Sequence, residues 1–399
     1  MIWRRTVLCL GLSQLVCWGI SYYLIGGFGD LIAADLGWSQ TLVYGGFTAA
    51  LIVMGLTSPV TGHLIDRHGG RRVMVTGSLA LAVGCTALAL SRTVLSYYTA
   101  WAWMGLAMRL TLYEAAFASV ARIGGPGARR PIAQITLLGG LASTVFWPIG
   151  NALAGPFGWR GAVMAYAGFA LLTIPLHLAI PNTRYGEAVD GETAAQPLPP
   201  AHPPLAAGPR DRLIAGSLYA VIVTLAGFLN SGMSAHMIAL LAGFGLAASV
   251  SVWISTLRGI GQSLARVCEV LFGARLHPLT LNVLATLVLP FCFAAGLLSG
   301  QFVLAAIGFA FFYGAGNGIV TITRGTLPLV LFGHRSYGAI TGRLLVPSFL
   351  LSAVAPIAYA FVIERFGDGG ALYLSIALSS VAFGAAIALK LIFGEPRPA

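Results

Sequence analysis

Charge is what this sequence has least of. Asp, Glu, Lys and Arg together make up 9% of its 399 residues, against about 25% in an ordinary soluble chain. A chain so poor in charge cannot clothe a water-facing surface. Cys9, Cys17, Cys85, Cys268 and Cys292 all fall in apolar runs without metal-ligand spacing. They read as small buried hydrophobes and report nothing about redox compartment. No phosphate-binding Walker loop, HExxH helix, nucleophile elbow or Cys/His cluster occurs. A membrane enzyme or sensor is therefore the weak alternative, and neither ATP, another cofactor nor a metal is expected. A cleavable secretory peptide is not expected either, because the run after "MIWRR" exceeds a signal peptide's apolar region and no small-residue cleavage site follows.

What the sequence does have is apolar length. Hydrophobic residues reach 57% and the mean hydropathy is +0.85. Runs long enough to cross a bilayer recur at 7–30, 39–61, 73–91, 94–120, 131–155, 160–180, 213–241, 247–272, 278–299, 301–326, 337–363 and 369–391. Lipid offers no partner to open backbone groups, and the runs are too uniformly apolar for alternating barrel strands, so each is read as a helix. The 51 glycines suit helices that approach closely in a bundle. The expectation is an all-α membrane protein of twelve transmembrane helices. The net charge of +11 does not point to nucleic acid, because of where it lies. Arg4, Arg5, Arg67, Arg71, Arg72, Arg122, Arg129 and Arg130 are among the many basic residues on one side; Arg92, Arg160 and Arg365 alone occupy loops on the other. This positive-inside bias places both termini in the cytoplasm and the chain in the cell inner (plasma) membrane, with lipid and a small molecule as its partners and a monomer as its state.

One connector breaks the alternation. Residues 181–212, rich in Pro and Ala and holding Glu187, Asp190 and Glu192, cannot bury a core and read as a flexible cytoplasmic linker. It separates a six-helix bundle at 1–180 from a second at 213–399. The bundles look like repeats. "FWPIGNALAGPFGWRGAVMAYAG" and "VAPIAYAFVIERFGDGGALYLSI" share a Pro-Ile pair, a later Phe-Gly, and a Gly-Ala entering the next span. A similar offset carries Asp66 close to Glu269. Parallel six-span repeats characterise one transporter architecture, which holds its substrate near the midplane.

Charge is concentrated in one loop, "GHLIDRHGGRR". Its residues Gly62, Leu64, Asp66, Arg67, Gly69, Arg71 and Arg72 resemble the signature loop of the major facilitator superfamily. The resemblance implies a gating latch in which Asp66 pairs with an arginine and with the positive end of a neighbouring helix. "DLGWSQTLVYGGFTAALIVMGLTSPVTGHLIDRHGGRRVM" and the later "GWRGAVMAY" resemble the monocarboxylate transporter and oxalate–formate exchanger branch. That branch implies a substrate-binding arginine in span 8, matched by Arg266. Gln262 stands where monocarboxylate transporters have a proton-coupling aspartate, and span 1 has no lysine, so that coupling route is not carried over.

Ionisable residues inside the membrane are costly and usually functional. By depth, Arg109 and Arg258 lie nearest the midplane; Arg266 and Glu269 lie nearer the cytoplasm. Polar residues recur at helical spacing: Gln14 and Ser21 in span 1, Arg109 and Tyr113 in span 4, Asn230 and Ser234 in span 7, Asn317 and Thr321 in span 10. The resemblance implies that these four spans line the central cavity. Glu114, Glu269 and Asp30 are the candidate proton-coupling residues. The excess of arginine favours a secondary transporter of a small organic anion, a carboxylate by the branch resemblance, working by alternating access with ion coupling or exchange. A proton-coupled exporter of drugs or metabolites is the nearest alternative and would favour an acidic cavity.

Overall fold

The computed structural model describes residues 4–186, 203–273 and 276–394. Among them no strand occurs, and the element order follows the expected succession of spans. Helix α1 (Arg4–Cys17) passes through a π-helical turn (Trp18–Tyr22) into α2 (Leu24–Leu36). Then come α3 (Gln40–His68), α4 (Gly70–Leu90), α5 (Val94–Thr111), α6 (Tyr113–Gly124), α7 (Arg129–Gly139) and α8 (Ala142–Leu178). After the linker stand α9 (Pro209–Gly243), α10 (Ala248–Phe272), α11 (Pro278–Gly296), α12 (Val303–Phe332), α13 (Tyr337–Leu344) and α14 (Val346–Phe393). Among the described residues, eight helices or helical runs are long and apolar enough to cross a membrane, three of them, Arg4–Leu36, Val94–Leu178 and Tyr337–Phe393, spanning several elements. Helix α10, which carries Arg258, Arg266 and Glu269, is not among these.

Local chemistry marks where the helices begin. The Ser39 side chain accepts from the Leu42 N–H, and Thr93 with Ser96 closes a capping box at the start of α5, satisfying donors that the first turn leaves open. Pro209 and Pro278 occupy first-turn positions, where no N–H is needed. Inside helices, proline frees the carbonyl four residues earlier, and side chains take up two of these. The Tyr219 hydroxyl donates to Arg324 O at 2.7 Å, opposite Pro328, and the Ser231 hydroxyl to Ser352 O at 2.7 Å, opposite Pro356.

The repeated Phe-Gly pair has a conformational reason. Gly158 (φ 65°, ψ 174°) and Gly367 (φ 70°, ψ −179°) each turn the chain between consecutive helical stretches of α8 and of α14. A side chain would be strained at that φ.

The described residues group into two compact units. One holds α1–α8 and also the segment Phe332–Val346 with α13; the other holds α9–α12 and α14. Helix α13 thus comes from the later half of the sequence but packs with the first unit. The ends of the 181–212 connector are tied down: Tyr185 N–H donates to Arg122 O at 2.9 Å, and Leu205 and Ala206 donate to Val330 O and Leu331 O. Residues 187–202, with Glu187, Asp190 and Glu192, lie outside the described residues. Trp101, Tyr97 and Tyr166 are fully buried in the first unit, and Phe293, Phe309, Tyr313 and Tyr359 in the second. Large apolar side chains such as Leu56, Leu95, Phe291 and Leu391 stand outward. In water such a surface would aggregate; in lipid it is the required exterior.

Candidate functional site

In the second unit, four of the polar residues expected to face a substrate form one network. Arg258, near the middle of α10, donates from one guanidinium nitrogen to Asn230 Oδ1 at 2.6 Å and to Ser234 Oγ at 2.9 Å. Asn317 Nδ2 donates to the same Asn230 oxygen at 2.9 Å, and two donors on that atom fix the orientation of the Asn230 amide. The guanidinium also lies over the Tyr313 ring, 5.3 Å from its centroid, a cation–π contact that the sequence reading missed. Glycine brings the backbones together. A Cβ at Gly318 would stand 2.7 Å from Gln262 O, and Cβ atoms at Gly261 and Gly314 would strike the carbonyls of Phe311 and Arg258, so α10 and α12 approach at closest range. Every partner of Arg258 is neutral, and no carboxylate pairs with it among the described residues. Arg258 is only partly buried, so its positive charge is held in place and left uncompensated.

Thr321 spends its hydroxyl on Asn317 O within its own helix, at 2.9 Å. Arg266 and Glu269 are both buried, at 2% and 7% exposure.

The first unit departs from the expected continuous span over 94–120. Helix α5 ends at Thr111 and α6 starts at Tyr113, with Leu112 extended between them (φ −77°, ψ −171°). Gln14 of α1, fully buried, donates from Nε2 to Thr111 O at 2.7 Å. That bond satisfies a carbonyl which the break takes out of the helical ladder. Arg109, 1% exposed, stands on one side of the break and donates from Nε to Ser58 Oγ of α3 at 2.9 Å. Tyr113 and the buried Glu114 stand on the other. The Tyr113 hydroxyl donates to Thr136 O at 3.1 Å, and its ring lies 4.9 Å from that of Trp18 in the π turn. Two irregular backbones, a π turn in span 1 and a break in span 4, therefore meet at the residues expected to line a cavity. Ser21 is drawn inward, its hydroxyl bonded to Cys17 O at 2.5 Å. Asp30 stands apart, exposed and accepting from Gln40 at 3.1 Å.

The charged loop is placed at the end of α3. Asp66 Oδ1 and Oδ2 accept from the N–H groups of Gly338 and Ala339, at 3.0 and 2.7 Å. The carboxylate thus sits on the positive end of α13. Its own backbone carbonyl accepts from Arg122 at 2.8 Å. Gly62 lies against the Gly338 carbonyl with no room for a Cβ, Gly69 makes the turn at φ 85°, and Arg71 donates to Ile180 O at 2.6 Å. Arg67 and Arg72 are exposed. The partners Gly338 and Ala339 are separated from Asp66 by most of the chain, and only the fold reveals them. The other quoted stretches also meet: Asp35 of "DLGW" accepts from Trp159 Nε1 at 3.1 Å and pairs with Arg160 of "GWRG".

Among the described residues no cluster of His, Cys, Asp and Glu could hold a metal ion.

Comparison with known proteins gives one consistent answer on fold. A family model described as Major Facilitator Superfamily matches residues 10–356. The human organic anion transporter MFSD10 (TETRAN) superposes with a TM-score of 0.69 at 17% identity, covering 96% of this chain and 99% of that one. The proton:xylose symporter XylE, bound to 6-bromo-6-deoxy-D-glucose, superposes with a TM-score of 0.70 at 12% identity, covering 95% and 94%. No curated protein matches the chain by sequence.

Proposed function

The chain belongs to the major facilitator superfamily, a family of transporters, and we propose that its cargo is a small organic anion, a carboxylate. The observation that carries this reading is Arg258, oriented by Asn230, Ser234 and Tyr313 and paired with no carboxylate among the described residues. A cation kept in a membrane helix without a counter-charge is costly, and a substrate carboxylate would offset that cost with charge-assisted bonds. Likeness to MFSD10 at 17% identity speaks for the fold alone; the substrate reading rests on Arg258. We assign the chain to the monocarboxylate and oxalate–formate branch on its quoted stretches, with Arg109 and Arg266 as further anion-binding residues. Asp66 acts as a latch on α13 during alternating access, and buried Glu114 and Glu269 are the groups through which a proton would couple.

The test is uptake of labelled carboxylates by proteoliposomes, with and without a pH gradient, for the wild type and two variants. Arg258→Gln loses a charge-assisted bond of roughly 1.5–3 kcal/mol and should weaken anion binding about ten- to a hundredfold. Arg258→Lys should recover part of it, because a point charge replaces the planar fork. Wild-type anion affinity in Arg258→Gln would overturn the reading and favour the drug-exporter alternative.

A further inference from the structure

We infer that the transported anion carries a flat aromatic body: the first unit holds a wall of rings beside its broken helix, built for an aromatic carboxylate. This rests on the anion reading and names its substrate class.

The wall is continuous. From Tyr113 it runs to Trp18 (4.9 Å between ring centroids), from Trp18 to Tyr22 (4.8 Å), from Tyr22 to Phe47 (5.0 Å) and to Tyr23 (5.7 Å), and from Tyr23 to Trp147 (6.0 Å). The rings come from the π turn and the residue after it, α3, α6 and α8. The π turn itself supplies Trp18 and Tyr22, and such turns inside α-helices recur at functional sites. Exposure separates these rings from ordinary core. Trp101 and Tyr97 are fully buried, whereas Trp18, Tyr22, Tyr23 and Phe47 are partly exposed and Trp147 is 48% exposed. These rings are therefore not sealed into the core of the unit.

Two polar atoms beside the wall await a partner. Trp18 Nε1 and Gln14 Oε1 are out of solvent and have no hydrogen-bond partner among the described residues, and Gln14 is fully buried. Buried donors and acceptors in native proteins are almost always paired. The Gln14 amide cannot be flipped to relieve this, since its Nε2 is held by Thr111 O. An indole N–H suits a carboxylate oxygen, and an amide oxygen suits a ring hydroxyl. Arg109 lies in the last turn before the break, four residues before Tyr113. An aliphatic acid would gain only burial there. An aromatic ring adds edge-to-face contacts with its neighbours, a gain beyond area.

The test uses benzoate and cyclohexanecarboxylate, which have the same charge and nearly the same size and differ in aromaticity. Each is titrated against the purified full chain in detergent, and each competes for uptake in proteoliposomes. Wild type should prefer benzoate by about three- to tenfold. Trp18→Leu and, on the partly exposed face, Tyr22→Leu should each reduce that preference toward unity while affecting cyclohexanecarboxylate less. Equal wild-type affinity for both acids overturns the aromatic inference and leaves the anion reading standing. Binding of neither acid overturns both. A preference that survives both substitutions in folded protein also overturns the inference, because the selectivity then lies away from this wall.

Discussion

Replacing the Asp66 carboxylate with an amide changes one atom at the junction of α3 and α13, and its consequence can be worked from the geometry. The carboxylate accepts two backbone N–H groups at 3.0 and 2.7 Å, both in the first turn of α13. The amide of Asp66→Asn would keep one acceptor and turn an NH₂ group toward the other N–H. Losing one charge-assisted bond costs about 1.5–3 kcal/mol, and removing the anion from a helix N-terminus costs about 0.3–1 kcal/mol more. The docked state of α13 should weaken by about 2–4 kcal/mol, or roughly 30- to 700-fold in its equilibrium constant. Hydrogen exchange at Gly338 and Ala339 reads this directly, since their protons must leave Asp66 before they exchange. The rest of α3 should keep its protection. If Asp66 is a latch and not a ligand for substrate, transport should fall while anion binding stays near the wild-type value. Unchanged protection at both amides in folded Asp66→Asn protein would refute the reasoning, and so would binding that falls in step with transport.

Two further outcomes follow from single contacts. Gln14→Leu leaves Thr111 O without its side-chain donor, and an orphaned buried carbonyl costs about 1–3 kcal/mol; thermal unfolding in detergent should drop accordingly, and an unchanged midpoint would mean that the break is held by other contacts. His334, in the turn before α13, lies edge-on to Tyr185 at 5.0 Å, and burial, with Arg335 and Arg184 nearby, holds its pKa below the ordinary value. The neutral imidazole is thus the favoured form, so its contribution is full above the ordinary histidine pKa of about 6.5 and is lost as pH falls through the depressed value. Wild type should lose more thermal stability than His334→Gln on acidification from pH 7 to 5, and parallel curves would sink the assignment.

How legible a feature was in the sequence depended on whether a single residue type enforces it. The Phe-Gly pairs were visible because a turn at positive φ selects glycine, and they prove to be the turns at Gly158 and Gly367. The Arg258 network was visible as polar residues at helical spacing, because intact helices carry Asn230, Ser234 and Asn317 to one place. The break at Leu112 was not visible. No proline or glycine lies between Gly105 and Gly124, and every residue in that stretch tolerates a helix. Its cause is tertiary: a side chain from a helix distant in sequence takes the carbonyl that the helix gives up. The unit to which α13 belongs was hidden for the same reason. Nothing in "SYGAITGRL" names α3 as its neighbour, although Gly338 and Gly342 are what allow the approach.

The two units also spend their irregularity differently, and this bears on mechanism. In the second unit, α9 and α12 run unbroken past Asn230 and Asn317, so its arginine site is set by side chains on straight helices and should be rigid. In the first unit, the spans in corresponding positions hold a π turn and an extended residue. Non-helical backbone at membrane depth is tolerated where it is buried in protein or lines a cavity, and it persists only when its freed polar groups are taken up. Gln14 takes up one of them while leaving its own oxygen unpartnered. The Thr111 carbonyl, held by one side-chain bond, can be released for the loss of that bond, at a cost within reach of ligand binding. A fixed positive charge for the substrate and conformational response at a broken helix are then assigned to different units. Substitutions at Arg258 should therefore act chiefly on affinity, whereas Gln14→Leu, which removes the bond that holds the break, should change turnover as well.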